Sequence, residues 1–165
     1  MVPVDAEEYR RWFGQSAHTL QSATRDAEEA DYGWACFKAQ QAAEYAVKAL
    51  LRAVGDPAVG RSLVKLTETL EARPGIPVPE ELRQAARTLD RHYIPPRYPD
   101  AYPSGMPYEF YDQPTACEAL ESARRIAAFV RDQALALGIP PDHPSSHGTE
   151  SSPPPGSGQT AEGTP

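Results

Sequence analysis

The chain has only two cysteines in 165 residues, Cys36 and Cys117, and neither stands in a CxxC or Cys/His ligand spacing. Each lies among small residues in a helical pattern, so both read as reduced core thiols rather than as half of a bridge. No apolar run approaches the ~18 residues of a membrane span, and no charged-then-apolar leader is seen. These absences predict a cytoplasmic protein, neither exported nor inserted in a membrane. A Walker phosphate loop, a Rossmann glycine pattern, a serine nucleophile elbow and a metal-ligand cluster are also missing. No metal or cofactor is expected, and the commonest enzyme classes have no support.

Lys, Arg and aromatic residues are absent from residues 139–165, which are dominated by Pro, Ser, Gly and Thr. Such a segment cannot bury enough apolar surface to offset its ordering entropy, so it reads as a disordered tail. Residues 4–138 are left as one folding unit, large enough for a single core. The formal charge is −7, and the tail carries three of the acids, Asp142, Glu150 and Glu162. A mildly acidic domain is no general coat for nucleic acid, so any phosphate contact must come from a local cluster of base.

Convincing strand alternation is also lacking, whereas helical periodicity is plentiful. Asp5 can cap a first helix whose stripe is Tyr9, Phe13, Ser16, Leu20, Ala23 and Ala27. Asp31 begins a longer second helix with the stripe Cys36, Gln40, Ala43, Val47, Leu50, Leu51 and Val54, closed by Gly55. Gly60 to Ala72 predicts a short third helix capped by Ser62, with Leu63, Leu66 and Leu70 inward. Pro79 opens a fourth helix to Asp90 or His92. The six prolines between Tyr93 and Pro114 predict a stretch without regular structure, and a last helix runs from Thr115 to Gly138. The fold class is all-α, an antiparallel up-and-down bundle of four to five helices.

Residues 93–114 hold five of the eight tyrosines, plus Phe110. A connection this long is uncommon in a compact domain unless it is functional or disordered, and its aromatic load argues against disorder. Tyr93 and Tyr98 could stack a base and Arg97 could pair a phosphate; equally, the rings could pin the loop down while Arg97 bridges Asp100 or Asp90. Arg83, Arg87 and Arg91 share one face of the fourth helix, either as a phosphate-binding patch or as a solvated face paired with acids on a neighbour. On the second helix Gln40, Glu44 and Lys48 fall at i, i+4 and i+8, with Gln41 and Tyr45 beside them. If buried, that line needs partners, from the 93–114 loop or a second subunit; if exposed, Glu44–Lys48 is an ordinary surface pair.

Two motifs carry a resemblance. Phe37-Lys38-Ala39-Gln40-Gln41-Ala42-Ala43-Glu44-Tyr45-Ala46-Val47-Lys48-Ala49-Leu50-Leu51 and Leu89-Asp90-x-x-Tyr93-Ile94-x-x-Arg97-Tyr98-Pro99-Asp100 resemble the second helix and the loop of the HEPN family, over about residues 9–135. Trp12, the Gly60-x-Ser62-Leu63 step and the Ala-rich last helix fit as well. Arg61 departs from the His that many relatives carry in that step. The resemblance implies a helical homodimer, often encoded beside a minimal nucleotidyltransferase in a toxin–antitoxin pair. Many such proteins are metal-independent ribonucleases with an Arg-x(4–6)-His motif, in which Arg holds the scissile phosphate and His moves protons; others bind nucleotide or RNA without cutting it.

Here that motif is matched by Arg87 and His92, although the family places it at the start of the final helix. Arg87 and His92 are therefore the candidate catalytic pair. The candidate ligand-binding set is Arg97, Tyr98, Asp100, Tyr93, Gln41, Glu44, Lys48, Arg83 and Arg91. The leading expectation is a protein that binds nucleotide or RNA phosphate, with a nucleotidyltransferase as partner. The alternatives are a ribonuclease toxin and a helical protein-interaction scaffold. His18, His143 and His147 have no ligand-like partners.

Overall fold

A computed structural model describes residues 3–141, which form five helices and, among the described residues, no strand. They are α1 (Ala6–Glu28), α2 (Tyr32–Ala53), α3 (Leu63–Glu71), α4 (Glu80–Asp90) and α5 (Gln113–Ala136). The expected all-α bundle is what forms. The expected tail lies outside the described residues from 142 onward, His143 and His147 with it. Ile139, assigned to that tail, is buried in the core.

The helix α2 is the axis of the bundle, packed against α1 and α5. Ala35, Ala39, Ala42, Ala43, Ala46, Ala49 and Ala53 are all buried along it, so its neighbours approach with little side chain between. Ser16 of α1 donates its buried hydroxyl to the Ala42 carbonyl at 2.6 Å, a contact that a larger residue would block. Leucines of α2, α3 and α4 (Leu50, Leu51, Leu63, Leu70 and Leu89) fill the core together with Ile126 and Val130 of α5.

Three helices end in one arrangement. After α2 the Gly55 amide donates to the Arg52 carbonyl and the Asp56 amide to Leu51, with Gly55 at φ +81°; Gly138 and Ile139 repeat the pattern after α5. The same pair of bonds closes α1, but there the left-handed position is Ala30, at φ +62°. At the helix starts, Asp5 accepts from the Glu7 and Glu8 amides at 3.1 and 3.0 Å, as its position predicts.

Two boundaries differ from expectation. Pro114 falls inside the first turn of α5, where a missing N–H costs nothing, and Asp112 caps that turn by accepting from the Thr115 amide at 2.9 Å. The 93–114 stretch is also partly regular: prolines open two 3-10 turns, Pro99–Ala101 and Pro107–Phe110. Proline pre-sets the φ those turns need. Tyr9 and Phe13 of α1 share a surface recess with Ile139, Pro140 and Pro141 beyond α5.

Candidate functional site

The buried line on α2 is real and largely self-satisfied. Gln40 is fully buried and Glu44 is 2% exposed. Gln41 Nε2 donates to Gln40 Oε1 at 2.6 Å and to Glu44 Oε2 at 3.2 Å, while Lys48 Nζ donates to Glu44 Oε1 at 2.8 Å. The one backbone partner outside the helix is the Arg61 carbonyl, which accepts from Gln40 Nε2 at 3.2 Å. Arg61 belongs to the α2–α3 connection rather than to the 93–114 loop, one of the two partners the sequence suggested.

That start is fixed by Asp90, the last residue of α4. Its carboxylate accepts from the Leu63 and Val64 amides at 2.7 and 3.1 Å and from Ser62 Oγ at 2.8 Å. An anion at a helix N-terminus satisfies orphan amides and opposes the dipole favourably. Asp90 is thereby unavailable to Arg97, and Arg97 does not pair with Asp100 either. Arg97 Nε donates to the Tyr93 carbonyl at 2.7 Å. Its guanidinium lies 4.3 Å from the Phe37 ring centroid, 4.5 Å from Tyr93 and 4.9 Å from Tyr98. Among the described residues no carboxylate pairs with it. Its Nη groups meet no acceptor among those residues and are not buried, so they are open to solvent. The result is a cation caged by rings and held by its own loop.

Tyr93 is shared, since the exposed Arg61 guanidinium lies 5.6 Å from the same ring. Tyr98 leaves nearly half its surface exposed, and Asp100 is exposed on the first 3-10 turn, with no cation in salt-bridge range among the described residues.

The arginine row of α4 is not part of this site. Arg83 pairs with Glu71 of α3 and, at 3.2 Å, with Glu80. Arg87 reaches Glu80 at 2.6 Å and the Gln84 amide oxygen at 2.9 Å. The bonds from Arg87 and Arg83, in that order, hold the Glu80 carboxyl below its usual range. Arg91 is exposed. The expected patch is thus mostly the acid-paired face that was the other reading.

Arg87 and His92 have different partners, Glu80 and Gln84 for the arginine and Tyr111 for the imidazole. His92 turns inward, its Nδ1 3.2 Å from the Tyr111 hydroxyl and its ring edge-on to the Tyr111 ring at 5.6 Å. Burial, and then the nearby Arg91 charge, pushes its pKa down to about 4. Burial likewise raises the Tyr111 phenol, ahead of its bond with Tyr102, and raises the Cys36 thiol to about 12. The second cysteine, Cys117, is exposed rather than in the core, because it sits on the outer face of α5.

Sequence reasoning missed the far end of the α2 line. Arg52 lies 4.4 Å over the Trp12 ring and Lys48 5.9 Å from it, while Tyr45 meets Trp12 edge-on at 6.0 Å. Arg52 falls four residues after Lys48, a spacing that could have extended the line by one turn. Trp12 comes from α1, and no local pattern joins it to the line.

A five-helix bundle with a part-buried aromatic and cationic face on its axial helix defines the class: an all-α helical bundle with a built polar surface. A model of the HEPN domain matches residues 9–133. The crystal structure of TT1696 from Thermus thermophilus is 44% identical, with a TM-score of 0.73, covering 76% of this chain and 97% of that one. ST0689, an archaeal HEPN homologue, is 36% identical, with a TM-score of 0.64, covering 76% and 96%. A HEPN domain protein, tm0613 from Thermotoga maritima, is 34% identical, with a TM-score of 0.61, covering 76% and 98%. No match is found among curated proteins. The chain belongs to the HEPN domain family.

Proposed function

We propose that the chain binds the phosphate of a nucleotide or RNA at Arg97, with Tyr98 and Tyr93 offered to the base, and that it does so without cutting. The observation that carries this reading is an arginine on an acidic chain with no carboxylate partner among the described residues, ring-caged, with its Nη fork open. A guanidinium held by its faces and by Nε is pre-oriented to meet a phosphate bidentately, so little side-chain entropy is lost on binding. Arg61, also near the Tyr93 ring, adds positive potential. The engagement of Arg87 by Glu80 and of His92 by Tyr111 supports binding over cleavage. An imidazole with a pKa near 4, turned into the core, is a weak proton acceptor at neutral pH. Family membership supports a homodimer working beside a nucleotidyltransferase partner.

Titrating ADP and a short RNA into the protein tests the site. Arg97→Gln is expected to weaken binding by about 2 kcal/mol, the worth of charge-assisted bonds, and Arg97→Lys to recover only part of it. Unchanged affinity in Arg97→Gln rules the site out. RNA cleavage in EDTA that disappears in His92→Ala would replace this reading with the ribonuclease.

A further inference from the structure

Seven residues of α2 are part-buried; apart from Tyr32 at its start and Lys38, which turns to Asp26 and Ser22 of α1, they form one stripe. Phe37, Gln41, Tyr45, Lys48 and Arg52 recur at spacings of four, four, three and four residues, and all are half-buried. At 1.5 Å per residue the stripe is about 22 Å long. Its near end is Phe37 under the Arg97 guanidinium. At its far end Trp12 lies beneath Arg52, and a recess of about 290 Å³ is lined by Arg11, Trp12, Gln15 and Tyr45.

The charge at that far end is uneven. Among the described residues Glu8 is the carboxylate in ion-pair range of both Arg11 and Arg52, 3.6 Å from Arg52, so two guanidiniums share one carboxylate there. Arg52 Nε is moreover buried without a hydrogen-bond partner. Rings and cations thus share one track, Arg97 over Phe37 at one end and Arg52 over Trp12 beside Tyr45 at the other, with Lys48 between them paired to Glu44, on a chain whose formal charge is −7. That is the surface chemistry of single-stranded nucleic acid binding, in which ring faces take bases and a basic groove follows the backbone.

We propose that the α2 stripe is a track for single-stranded RNA, and that Trp12 and Arg52 form a second anchor, stacking a base and pairing a phosphate. The inference rests on the reading of Arg97 as a phosphate anchor and extends it: the ligand is an oligonucleotide on the order of four nucleotides, not a mononucleotide. A duplex is disfavoured because its bases are not available to the rings.

Fluorescence anisotropy with labelled oligoadenylate of one, three and six nucleotides tests it on the full chain, with melting curves confirming that each variant folds. Wild-type affinity is expected to rise at least about tenfold from mononucleotide to hexamer, since each stacked base adds to binding. In Arg52→Gln and in Tyr45→Ala that gain with length shrinks, and in Arg52→Gln the log–log salt slope for the hexamer falls by about 0.7. Arg97→Gln weakens the hexamer and the mononucleotide alike. Affinity independent of length, or a length dependence untouched by Arg52→Gln, overturns the track while leaving Arg97 standing. Affinity untouched by Arg97→Gln overturns the Arg97 anchor itself. Dimer dissociation in Arg52→Gln with no length dependence in the wild type would make the stripe a protein face and overturn the proposal.

Discussion

Single residues in this bundle carry local decisions that the sequence shows only in part. Asp5, Ser62 and Gly55 announce themselves, because an N-cap oxygen or a left-handed glycine at a helix end is a local requirement. Asp90 does not, since the amides it caps lie 27 and 26 residues earlier in the chain. Ala30 is the exception among the helix ends. Gly55 and Gly138 take the left-handed position at no steric cost, whereas a Cβ at φ +62° crowds the following carbonyl. Ala30→Gly is therefore expected to stabilise the protein by about 0.5–1 kcal/mol, the relieved strain exceeding the added unfolded-state entropy. Urea denaturation measures this, and a lowered midpoint would refute it.

At the scale of the element, α2 was legible as a helix, and so was the polar line on it. Its burial was not, because burial depends on where α1, α3 and α5 lie. Periodicity likewise gave the arginine face of α4, but not the Glu71 and Glu80 that neutralise it across a turn. The Glu44–Lys48 pair now has a definite energetic signature. Their side chains are 3% and 12% exposed and joined at 2.8 Å, so removing one partner strands the other in a poorly solvated place. Glu44→Ala is expected to cost about 3 kcal/mol. Glu44→Leu combined with Lys48→Met should cost far less than the sum of the single changes, since apolar replacement of a buried pair is often near neutral. Strictly additive losses in a double-mutant cycle would show that the pair does not interact.

At the scale of the whole molecule, one ring makes stability depend on pH above the carboxylate range. His92 titrates near 6.5 when unfolded and about 4 when folded, so the unfolded chain binds the extra proton between those values. Stability is full above pH 6.5 and declines as pH falls toward 4, by at most about 3 kcal/mol. Asp56, held low first by the Ala58 amide, and Asp112, held low first by the Thr115 hydroxyl, lose their contributions only below the ordinary carboxylate range. Glu80, held low first by Arg87, joins them only as pH falls to its ordinary value of 4.5, so the limb above that is His92's. Denaturation curves from about pH 4 to 8 should flatten in His92→Gln, and an unaltered slope would assign the limb elsewhere. The bundle as a class was readable from sequence because its helices bury regular stripes. The union of Arg97 with Phe37, 60 residues apart, was not, because only the folded loop brings them together.

The recess shared by Tyr9, Phe13, Ile139 and Pro140 puts the entry and exit of the bundle side by side. Joining them by a short flexible bridge would strain nothing, and fresh termini could open at the exposed Pro74–Gly75 turn. The same geometry makes the bundle a cassette that can be spliced into a surface loop of a host protein without prising that host apart.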